Sequence, residues 1–251
     1  MVVLETNGLV KDFGGVIAIN DVTFSLEKGQ KHAIIGPNGA GKTTFFNLIT
    51  GHLKPSQGTV EFEGREITGM PPHQIVRLGL ARSFQRINIF PRMTVYENIQ
   101  TALIAKDHKH FSLFTPAATQ NRKETRDLLD LVGLNKEMAE IAGELSYGKQ
   151  KQLELAISLA ENPSILLLDE PTAGMSPQET SDAIQLVDEI ASSRGLTLLF
   201  TEHDMSVVFG IADRISVLHH GELIASGLPD EVRNNKEVRR VYLGEADDAA
   251  A

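Results

Sequence analysis

The sequence predicts an α/β protein with a mostly parallel, helix-covered sheet, an antiparallel β subdomain at the N-terminus and an inserted helical subdomain. Three patterns support this fold class. Residues 2–35 alternate apolar and polar positions in short runs, as half-buried strands do. Residues 94–161 carry helical periodicity. From Ser164 onward, short apolar runs alternate with helical patterns, which is typical of a parallel sheet.

Composition restricts both the architecture and the class of function. With 251 residues and 41% hydrophobic content, the chain can bury the core of one domain, so we expect a single domain over residues 1–251. A net charge of −9 disfavours a general electrostatic grip on nucleic acid or anionic lipid, and no nucleic-acid partner is expected. Cysteine is absent, which excludes disulfides and thiolate chemistry.

The sequence also lacks the patterns of membrane insertion and export. No apolar run approaches the roughly 18 to 20 residues that a spanning helix needs. Residues 1–6 lack the basic and apolar regions of a signal peptide. If a membrane is involved, we expect other chains to cross it.

The first third of the chain is predicted to form strands and two helices. Gly14-Gly15 and Lys28-Gly29 separate the first strands, and Pro71-Pro72 opens the second helix. In chain order the elements are strands and hairpins over 2–35 that end in a buried strand at 31–36, a helix over 42–50, a hairpin strand at 60–62, and a short helix from 71 to about 80.

The rest of the chain is predicted to form three helices and then an alternation of strands and helices. The three amphipathic helices, over 94–106, 121–132 and 149–161, make up the helical subdomain, which we expect at about 86–163. The later elements are strands at 165–168, 197–201 and 214–218 and helices at about 177–194 and 204–212. The small and acidic residues 245–251 are expected to fray.

A glycine-rich loop lies between the buried strand and the first helix. It fits the phosphate-loop pattern in the strand–loop–helix context that the pattern requires, which favours it over an ordinary glycine-rich turn. Its backbone N–H groups are expected to curl around phosphate oxygens, Lys42 to neutralise the outer phosphates, and the Thr43 hydroxyl to hold magnesium. The predicted nucleotide-binding residues are Gly36, Pro37, Asn38, Gly39, Ala40, Gly41, Lys42, Thr43 and Thr44.

Two adjacent carboxylates, Asp169 and Glu170, follow the apolar strand at 165–168. Ligands bind at the carboxyl ends of strands in open parallel sheets. Asp169 is predicted to hold magnesium through water, and Glu170 to orient and deprotonate the water that attacks the γ-phosphate. The alternative is a common acidic pair that caps the next helix. The phosphate loop in the same chain favours the catalytic interpretation.

Residues 145–150 distinguish this chain from other phosphate-loop proteins such as kinases, GTPases and helicases. The segment resembles the signature of ABC ATPases, and the resemblance extends from about residue 4 to residue 244 with the family's motifs in order. It implies an ATP-hydrolysing P-loop NTPase that uses Mg²⁺. By this resemblance, Gln85 is the Q-loop glutamine and a magnesium ligand, His203 is the switch histidine, and Phe13 is the aromatic residue that packs against the adenine ring. The signature residues are Ser146, Tyr147, Gly148, Lys149 and Gln150.

The resemblance also implies how the signature acts. In ABC ATPases it faces the ATP of the opposite subunit, so residues 146–150 are expected to act in trans in a dimer with composite sites. Ser146 and the Gly148 amide open a helix and therefore offer a second anion site. A Ser-x-Gly helix start is in itself an ordinary N-cap, and its position between Gln85 and Asp169 favours the functional interpretation.

Several single residues have a simpler structural interpretation. A lone phenylalanine or histidine usually packs in the core. Phe13, however, lies in a Phe-Gly-Gly loop that favours exposure, and His203 follows a core strand at the ligand edge of the sheet. The predicted catalytic residues are thus Glu170, His203 and Gln85. No metal other than magnesium is indicated, because the remaining candidate histidines lack ligand partners at useful spacing: His108, His110, His219 and His220.

Within ABC proteins, four segments resemble the ATP-binding subunits of branched-chain (hydrophobic) amino-acid importers: residues 79–98, Tyr147, residues 202–205 and residues 241–244. This resemblance implies import of branched-chain or other hydrophobic amino acids, and a peripheral location at the cytoplasmic face of the cell membrane. It implies a second ATPase subunit, identical or different, two membrane permease subunits, and indirectly a substrate-binding protein.

The chain departs from the usual ABC pattern at two positions. Ser176 stands where many members have Asp, which puts the usual cross-dimer hydrogen bond of that loop in doubt, and Lys149 stands where Gln is usual. The ATPase motifs are shared with ABC proteins of other function, above all exporters and lipid-extraction ATPases, and do not separate these alternatives. Chromosome-maintenance ATPases carry long coiled-coil insertions, for which 251 residues leave no room. ABC translation factors carry two cassettes, whereas this sequence has one phosphate loop. The signature argues against a nucleotide kinase.

Overall fold

The computed structural model describes residues 1–83, 87–106 and 120–243. In these residues the strands are β1 Val2–Asp12, β2 Ile17–Glu27, β3 Lys31–Ile35, β4 Gln57–Phe62, β5 Arg65–Glu66, β6 Leu80–Ser83, β7 Ile165–Asp169, β8 Thr197–Thr201, β9 Arg214–His219 and β10 Glu222–Gly227. The helices are α1 Lys42–Ile49, α2 Pro72–Leu78, α3 Val95–Lys106, α4 Arg122–Leu131, α5 Tyr147–Ala160, α6 Pro177–Arg194, α7 Met205–Ile211, α8 Pro229–Arg233 and α9 Lys236–Leu243, and one turn of 3₁₀ helix spans Ala142–Glu144.

The strands form two sheets. The larger sheet has six strands in the order β10-β9-β3-β8-β7-β6, of which only the edge strand β10 is antiparallel to its neighbour. The smaller sheet is antiparallel and has the order β2-β1-β4-β5. The predicted fold class, a mostly parallel sheet with an N-terminal antiparallel part and inserted helices, is confirmed.

Two apolar clusters cover the two faces of the six-stranded sheet. Alternate residues of a strand point to opposite faces, and β7 shows this directly: Leu167 packs in one cluster and Leu168 in the other. The first cluster contains α1 and the antiparallel sheet. The second contains α5, α6 and α7 together with buried residues of α3 and α4. The helices between β6 and β7 therefore share the core of one sheet face.

The sequence located the central elements to within two residues but missed several peripheral ones. The helix expected to end near Leu80 ends at Leu78, because Gly79 adopts φ 108°. The chain then forms β6, which pairs in parallel with β7 and was not predicted. At four residues, β6 is too short to show a period in the sequence. The edge strands β5 and β10 and the helices α8 and α9 were also missed.

Within the described residues, no helix is both long enough and apolar enough to span a membrane.

Candidate active site at the carboxyl edge of the parallel sheet

Four parallel strands bring the predicted site residues to one edge of the sheet. β3, β8, β7 and β6 are successive neighbours and run in the same direction, so their carboxyl ends lie side by side. The phosphate loop, residues 36–43, follows β3. Asp169 ends β7, and His203 follows β8 by two residues. Gln85, which follows β6, lies outside the described residues.

The phosphate loop is packed so closely that side chains are excluded at two of its glycines. A Cβ on Gly36 would lie 2.2 Å from the carbonyl oxygen of Leu218. A Cβ on Gly41 would lie 2.5 Å from the carbonyl oxygen of Ala18, and Gly41 also adopts φ 107°. Such a conformation strains any residue with a side chain. The loop is thus set by its own backbone and by the strands packed against it.

Lys42 is almost fully buried at the start of α1, with 7% of its surface exposed. Its Nζ donates hydrogen bonds to the carbonyl oxygens of Gly36, at 2.5 Å, and Pro37, at 3.2 Å. Burial lowers the pKa of Lys42, while the carboxylates of Glu170 and Asp169 act in the opposite direction. A cation is therefore held at the mouth of the loop, facing the two carboxylates.

Asp169 is held on both carboxylate oxygens. Oδ1 accepts a hydrogen bond from Thr201 Oγ1 at 2.9 Å, and Oδ2 accepts one from Arg82 at 2.7 Å. The side chains of Arg82 and Asp169 are 6% and 3% exposed. Arg82 also donates to Asn47 Oδ1 in α1 at 2.7 Å. This buried ion pair joins β6, β7 and the helix that follows the phosphate loop, and it fixes the orientation of the carboxylate.

The residue after Asp169 has an unusual backbone. Glu170 adopts φ 50°, the left-handed region that a residue with a side chain rarely occupies. Its N–H lies 3.1 Å from both the carbonyl oxygen and the Oγ1 of Thr201, so β8 holds it in place. Left-handed geometry of this kind costs on the order of 1 kcal/mol and often marks functional sites.

Glu170 and His203 are in direct contact. Glu170 Oε1 lies 2.6 Å from His203 Nε2, in a pair whose side chains are 16% and 48% exposed. Two of the three predicted catalytic residues are therefore brought together. The histidine is the more exposed partner.

Glu202, between Thr201 and His203, is buried, with 4% of its surface exposed. Its Oε1 accepts hydrogen bonds from the N–H of Thr172, at 3.0 Å, and from Thr172 Oγ1, at 2.7 Å. Its Oε2 accepts one from the N–H of His203 at 3.2 Å. The loop after β7 is thus tied to the loop after β8.

The signature residues form the start of α5. This helix belongs to the helical block, by which we mean α3, α4 and α5 between β6 and β7. Ser146 occupies the N-cap position, although its side chain makes no capping hydrogen bond. A Cβ on Gly148 would lie 3.2 Å from Glu179 Oε1, so the helix start lies against α6. Lys149 forms an ion pair with Glu137 at 2.6 Å, and Gln150 donates to the carbonyl oxygen of Leu145 at 2.9 Å. No described hydrogen bond joins these residues to the phosphate loop.

Tyr147 contacts the loop after β7, and Ser176 follows that loop in the chain. Tyr147 is 41% exposed, and a Cβ on Gly174 would lie 3.7 Å from its ring. Ser176 is the N-cap of α6 and forms a capping box with Glu179. The serine at this position therefore has a local role in its own chain.

Phe13 lies in the turn between β1 and β2 and is 52% exposed, as its loop context predicts. Its N–H donates to the carbonyl oxygen of Val16, and Lys11 Nζ lies 5.0 Å from the ring centroid. Val16 and Ile17 are also exposed. Three exposed apolar side chains therefore lie at or next to the turn between β1 and β2.

The structure adds three residues to which the sequence assigned no role: Arg82, Thr201 and Glu202. All three are buried or half-buried polar groups at the carboxyl ends of β6 and β8. The available signal was polar residues that immediately end apolar strands on the ligand edge of a parallel sheet. Their partners, however, lie about 30 to 90 residues away in the chain, and local patterns do not show such contacts.

The oxygen atoms at this edge fit a magnesium–nucleotide complex. Thr43, in the first turn of α1, is exposed, and the Asp169 carboxylate belongs to the same edge. Mg²⁺ prefers such oxygen ligands and usually shares them with substrate phosphates and water. Within the described part of the chain, no group of three or more His, Cys, Asp or Glu residues is placed to hold a metal. The side chains of His108 and His110 lie outside that part.

Comparisons with known proteins agree with this site. The ABC transporter family model matches residues 19–173, and the branched-chain amino acid ATP-binding cassette transporter model matches residues 222–248. The high-affinity branched-chain amino acid transport ATP-binding protein LivG of Salmonella typhimurium is 42% identical, over 97% of this chain and 98% of LivG.

Solved structures agree as well. The ADP conformation of MJ1267, an ATP-binding cassette of an ABC transporter, has a TM-score of 0.85 at 33% identity and covers 98% of this chain and 100% of that one. A dimeric post-hydrolysis state of the cassette MJ0796 bound to ADP and Pi has a TM-score of 0.76 at 25% identity, over 90% and 98% of the two chains. This chain therefore belongs to the ABC transporter ATPases, in the branched-chain amino acid ATP-binding cassette family.

Proposed function

We propose that this chain is the ATP-hydrolysing subunit of an ABC importer of branched-chain or other hydrophobic amino acids. The observation that carries the chemical part is the 2.6 Å contact of Glu170 with His203 on the sheet edge that also carries Lys42. The substrate class is supported by the C-terminal family match and by the transport activity in the name of the LivG relative.

We propose that the whole chain, residues 1–251, is one ABC ATPase domain, and that residues of about 86–163 are its helical subdomain. The described helices α3, α4 and α5 support this division, because they lie between β6 and β7 and contact one another.

ATP is proposed to bind with its phosphates in the loop of residues 36–43. The N–H groups of the loop and of the first turn of α1, including Thr44, face the phosphates, and Lys42 neutralises the outer ones. Phe13 stacks on the adenine, since its exposed ring can add about 1 kcal/mol to base binding. Thr43, Gln85 and, through water, Asp169 are proposed to hold Mg²⁺, which would supply positive charge that stabilises the phosphates during hydrolysis.

In hydrolysis, Glu170 is proposed to take the proton of the attacking water as that water bonds to the γ-phosphorus. The bond between the γ-phosphorus and the β–γ bridging oxygen breaks in the same step, so ADP leaves and inorganic phosphate is formed. The carboxylate is suited to this role because backbone and side-chain hydrogen bonds hold its residue in a fixed conformation. His203 orients Glu170 through their contact and faces the γ-phosphate. Gln85 joins the same phosphate to the helical subdomain.

The signature residues 146–150 are proposed to bind the ATP of a second subunit, identical or different. Their separation from the phosphate loop of their own chain supports this, because their described hydrogen bonds and ion pairs stay on the helical block. ATP then joins two subunits, and hydrolysis removes the shared phosphate contact.

Two permease subunits are proposed for the transporter, one for each ATPase subunit of the pair. This chain is proposed to seat one of them in a groove of its helical block. The groove has a volume of about 720 Å³ and is lined by α3, α4 and the loop before α5, with Met93, Tyr96 and Met138 among its apolar residues. Methionine side chains adapt to irregular partners. This docking places the chain at the cytoplasmic face of the membrane, where a substrate-binding protein acts only indirectly through the permeases.

The dimer hypothesis is tested by sedimentation and ATPase assays over a series of protein concentrations. We expect a mostly monomeric protein whose specific activity rises with concentration, because the signature must reach another chain's ATP. Ser146→Arg should abolish this rise by adding bulk at the phosphate, while leaving ATP binding intact. A monomer with full, concentration-independent turnover contradicts action in trans.

The substrate class is tested with the membrane partners co-purified and reconstituted in vesicles. Uptake of leucine, isoleucine or valine should depend on ATP and be lost with Glu170→Gln. ATP-dependent release of a lipid, with no amino-acid uptake, would replace the importer with an exporter.

A further inference from the structure

The carboxylate of Glu202 connects two loops that the proposed mechanism treats separately. One is the loop of residues 171–175, which leads from Glu170 to α6, and the other carries His203. Glu202 accepts three hydrogen bonds, two from Thr172 and one from the backbone of His203. At 4% exposure, it is shielded from water that could replace these partners.

The geometry of the catalytic pair depends on both loops. Glu170 lies two residues before Thr172, and the turn between them is closed by a hydrogen bond from the N–H of Ala173 to the carbonyl oxygen of Glu170 at 3.2 Å. His203 is adjacent to Glu202. Because one carboxylate holds both Thr172 and the backbone of His203, it also limits the distance between the side chains of Glu170 and His203.

Glu202 is also placed to link the catalytic pair with the signature. The loop that it holds contains Gly174, which lies against the ring of Tyr147. A shift of this loop would therefore displace the Tyr147 ring at the start of α5.

A neutral side chain of the same shape is unable to make these contacts. Glutamine has one carbonyl oxygen and one NH₂ group, which only donates. In one orientation the NH₂ meets the N–H of His203. In the other it meets Thr172, whose hydroxyl can rotate to accept but whose N–H cannot. At least one buried donor is then left without an acceptor, and the two loops separate.

We propose that Glu202 is a positioning residue that sets the contact between Glu170 and His203 by tying their loops together. The proposal rests on the catalytic roles proposed above for Glu170 and His203. Glu202 acts through these residues and does not touch ATP. Its loss is expected to change the rate of hydrolysis rather than nucleotide affinity.

The first experiment compares Glu202→Gln with Thr172→Val and Thr172→Ser in the full-length protein, with the dimer formed at high concentration. Glu202→Gln should lower kcat roughly 10- to 100-fold, as expected for a small misplacement of catalytic groups, and leave the half-saturating ATP concentration within about twofold. Thr172→Val, which removes one of the three hydrogen bonds, should have the same effect at smaller size. Thr172→Ser, which keeps the hydroxyl, should retain the parental rate.

The second experiment uses double variants, because residues that act as a unit are not additive. Glu202→Gln combined with Thr172→Val should be no slower than Glu202→Gln alone, and combined with His203→Ala it should add less than about twofold. A purely structural role would lower the melting temperature and leave the kcat of the folded protein unchanged.

The outcomes separate this proposal from the proposed function. If Glu170→Gln and His203→Ala lose turnover while Glu202→Gln and Thr172→Val keep it, Glu202 is not a positioning residue. If the effects of Glu202→Gln and Thr172→Val multiply, each acts independently and the link is also rejected. If Glu170→Gln retains full turnover, the proposed catalytic site itself is wrong.

Discussion

The phosphate loop and the β7–β8 corner, residues 169–173 with residues 201–203, are held in place in different ways. In the loop, glycines bring backbone against backbone, with Gly36 and Gly41 packed too closely for any side chain. In the corner, buried side chains hold one another, with Asp169 fixed by Arg82 and Thr201. Binding a phosphate needs only backbone N–H groups and one cation, whereas aligning a base and its partner needs several fixed side chains. The two regions should therefore respond differently to substitution.

The largest difference is expected between Glu170→Gln and Lys42→Ala. Glu170→Gln removes the base and leaves the loop intact, so hydrolysis should slow by about 10² to 10⁴ with ATP affinity spared. Lys42→Ala removes the cation of the loop and should weaken ATP binding by roughly 10- to 100-fold. Isothermal titration and turnover assays measure both variants. Equal losses of ATP binding and turnover in Glu170→Gln would contradict the separation of phosphate binding in the loop from catalysis in the corner.

The corner should be the more sensitive region to loss of a single side chain. Arg82→Met leaves the buried Asp169 carboxylate without its cation, and breaking such a pair costs about 3–5 kcal/mol. Chemical denaturation gives the free energy of unfolding. Arg82→Met combined with Asp169→Asn is the control, because removal of both charges should restore part of the loss. A loss below about 1 kcal/mol in the single variant would mean that the pair contributes little.

The phosphate loop should be sensitive to added rather than removed atoms. Gly41→Ala places a Cβ 2.5 Å from a backbone oxygen at φ 107°, whereas Gly39→Ala at φ 81° meets nothing within 4 Å. Both pay about 1–2 kcal/mol for the conformation, and Gly41→Ala should cost a further 1–3 kcal/mol for overpacking. The two variants are compared by thermal unfolding. Equal destabilisation would show that close packing of the loop is not important.

The strand that leads into the phosphate loop should respond to acid. Burial and, to a smaller extent, Arg214 lower the pKa of His32 from 6.5 to about 4. The unfolded chain therefore takes up a proton on this histidine first, so stability present above pH 6.5 is lost as pH falls towards 4. Between pH 7 and pH 5 the loss should be about 2 kcal/mol. Denaturation at the two pH values should show a smaller loss for His32→Gln, and an unchanged loss would assign the effect to other groups.

The same contrast explains what could be predicted from the sequence. The phosphate loop is contiguous, and its pattern of glycines followed by Lys42 and Thr43 is local, so the whole loop could be predicted from the sequence. The carboxylates and His203 were found because apolar strands end just before them. The roles of Arg82 and Glu202 could not be predicted, because they depend on partners at the ends of other strands. A single sequence does not show which strands are neighbours. Strand β6 was missed for a related reason, because its pairing with β7 spans more than 80 residues.

The attachment of the helical block has a consequence for how this protein family can diversify. β6 and β7 are parallel neighbours, with Leu80 opposite Ile165, so everything between them is one crossover connection of the sheet. The entropic cost of closing such a connection grows only with the logarithm of its length. Residues can therefore be gained, lost or exchanged in the block without altering strand order or register. The surface on which we propose that the permease docks can therefore change without alteration of the catalytic residues, so one ATPase sheet is compatible with different transporters.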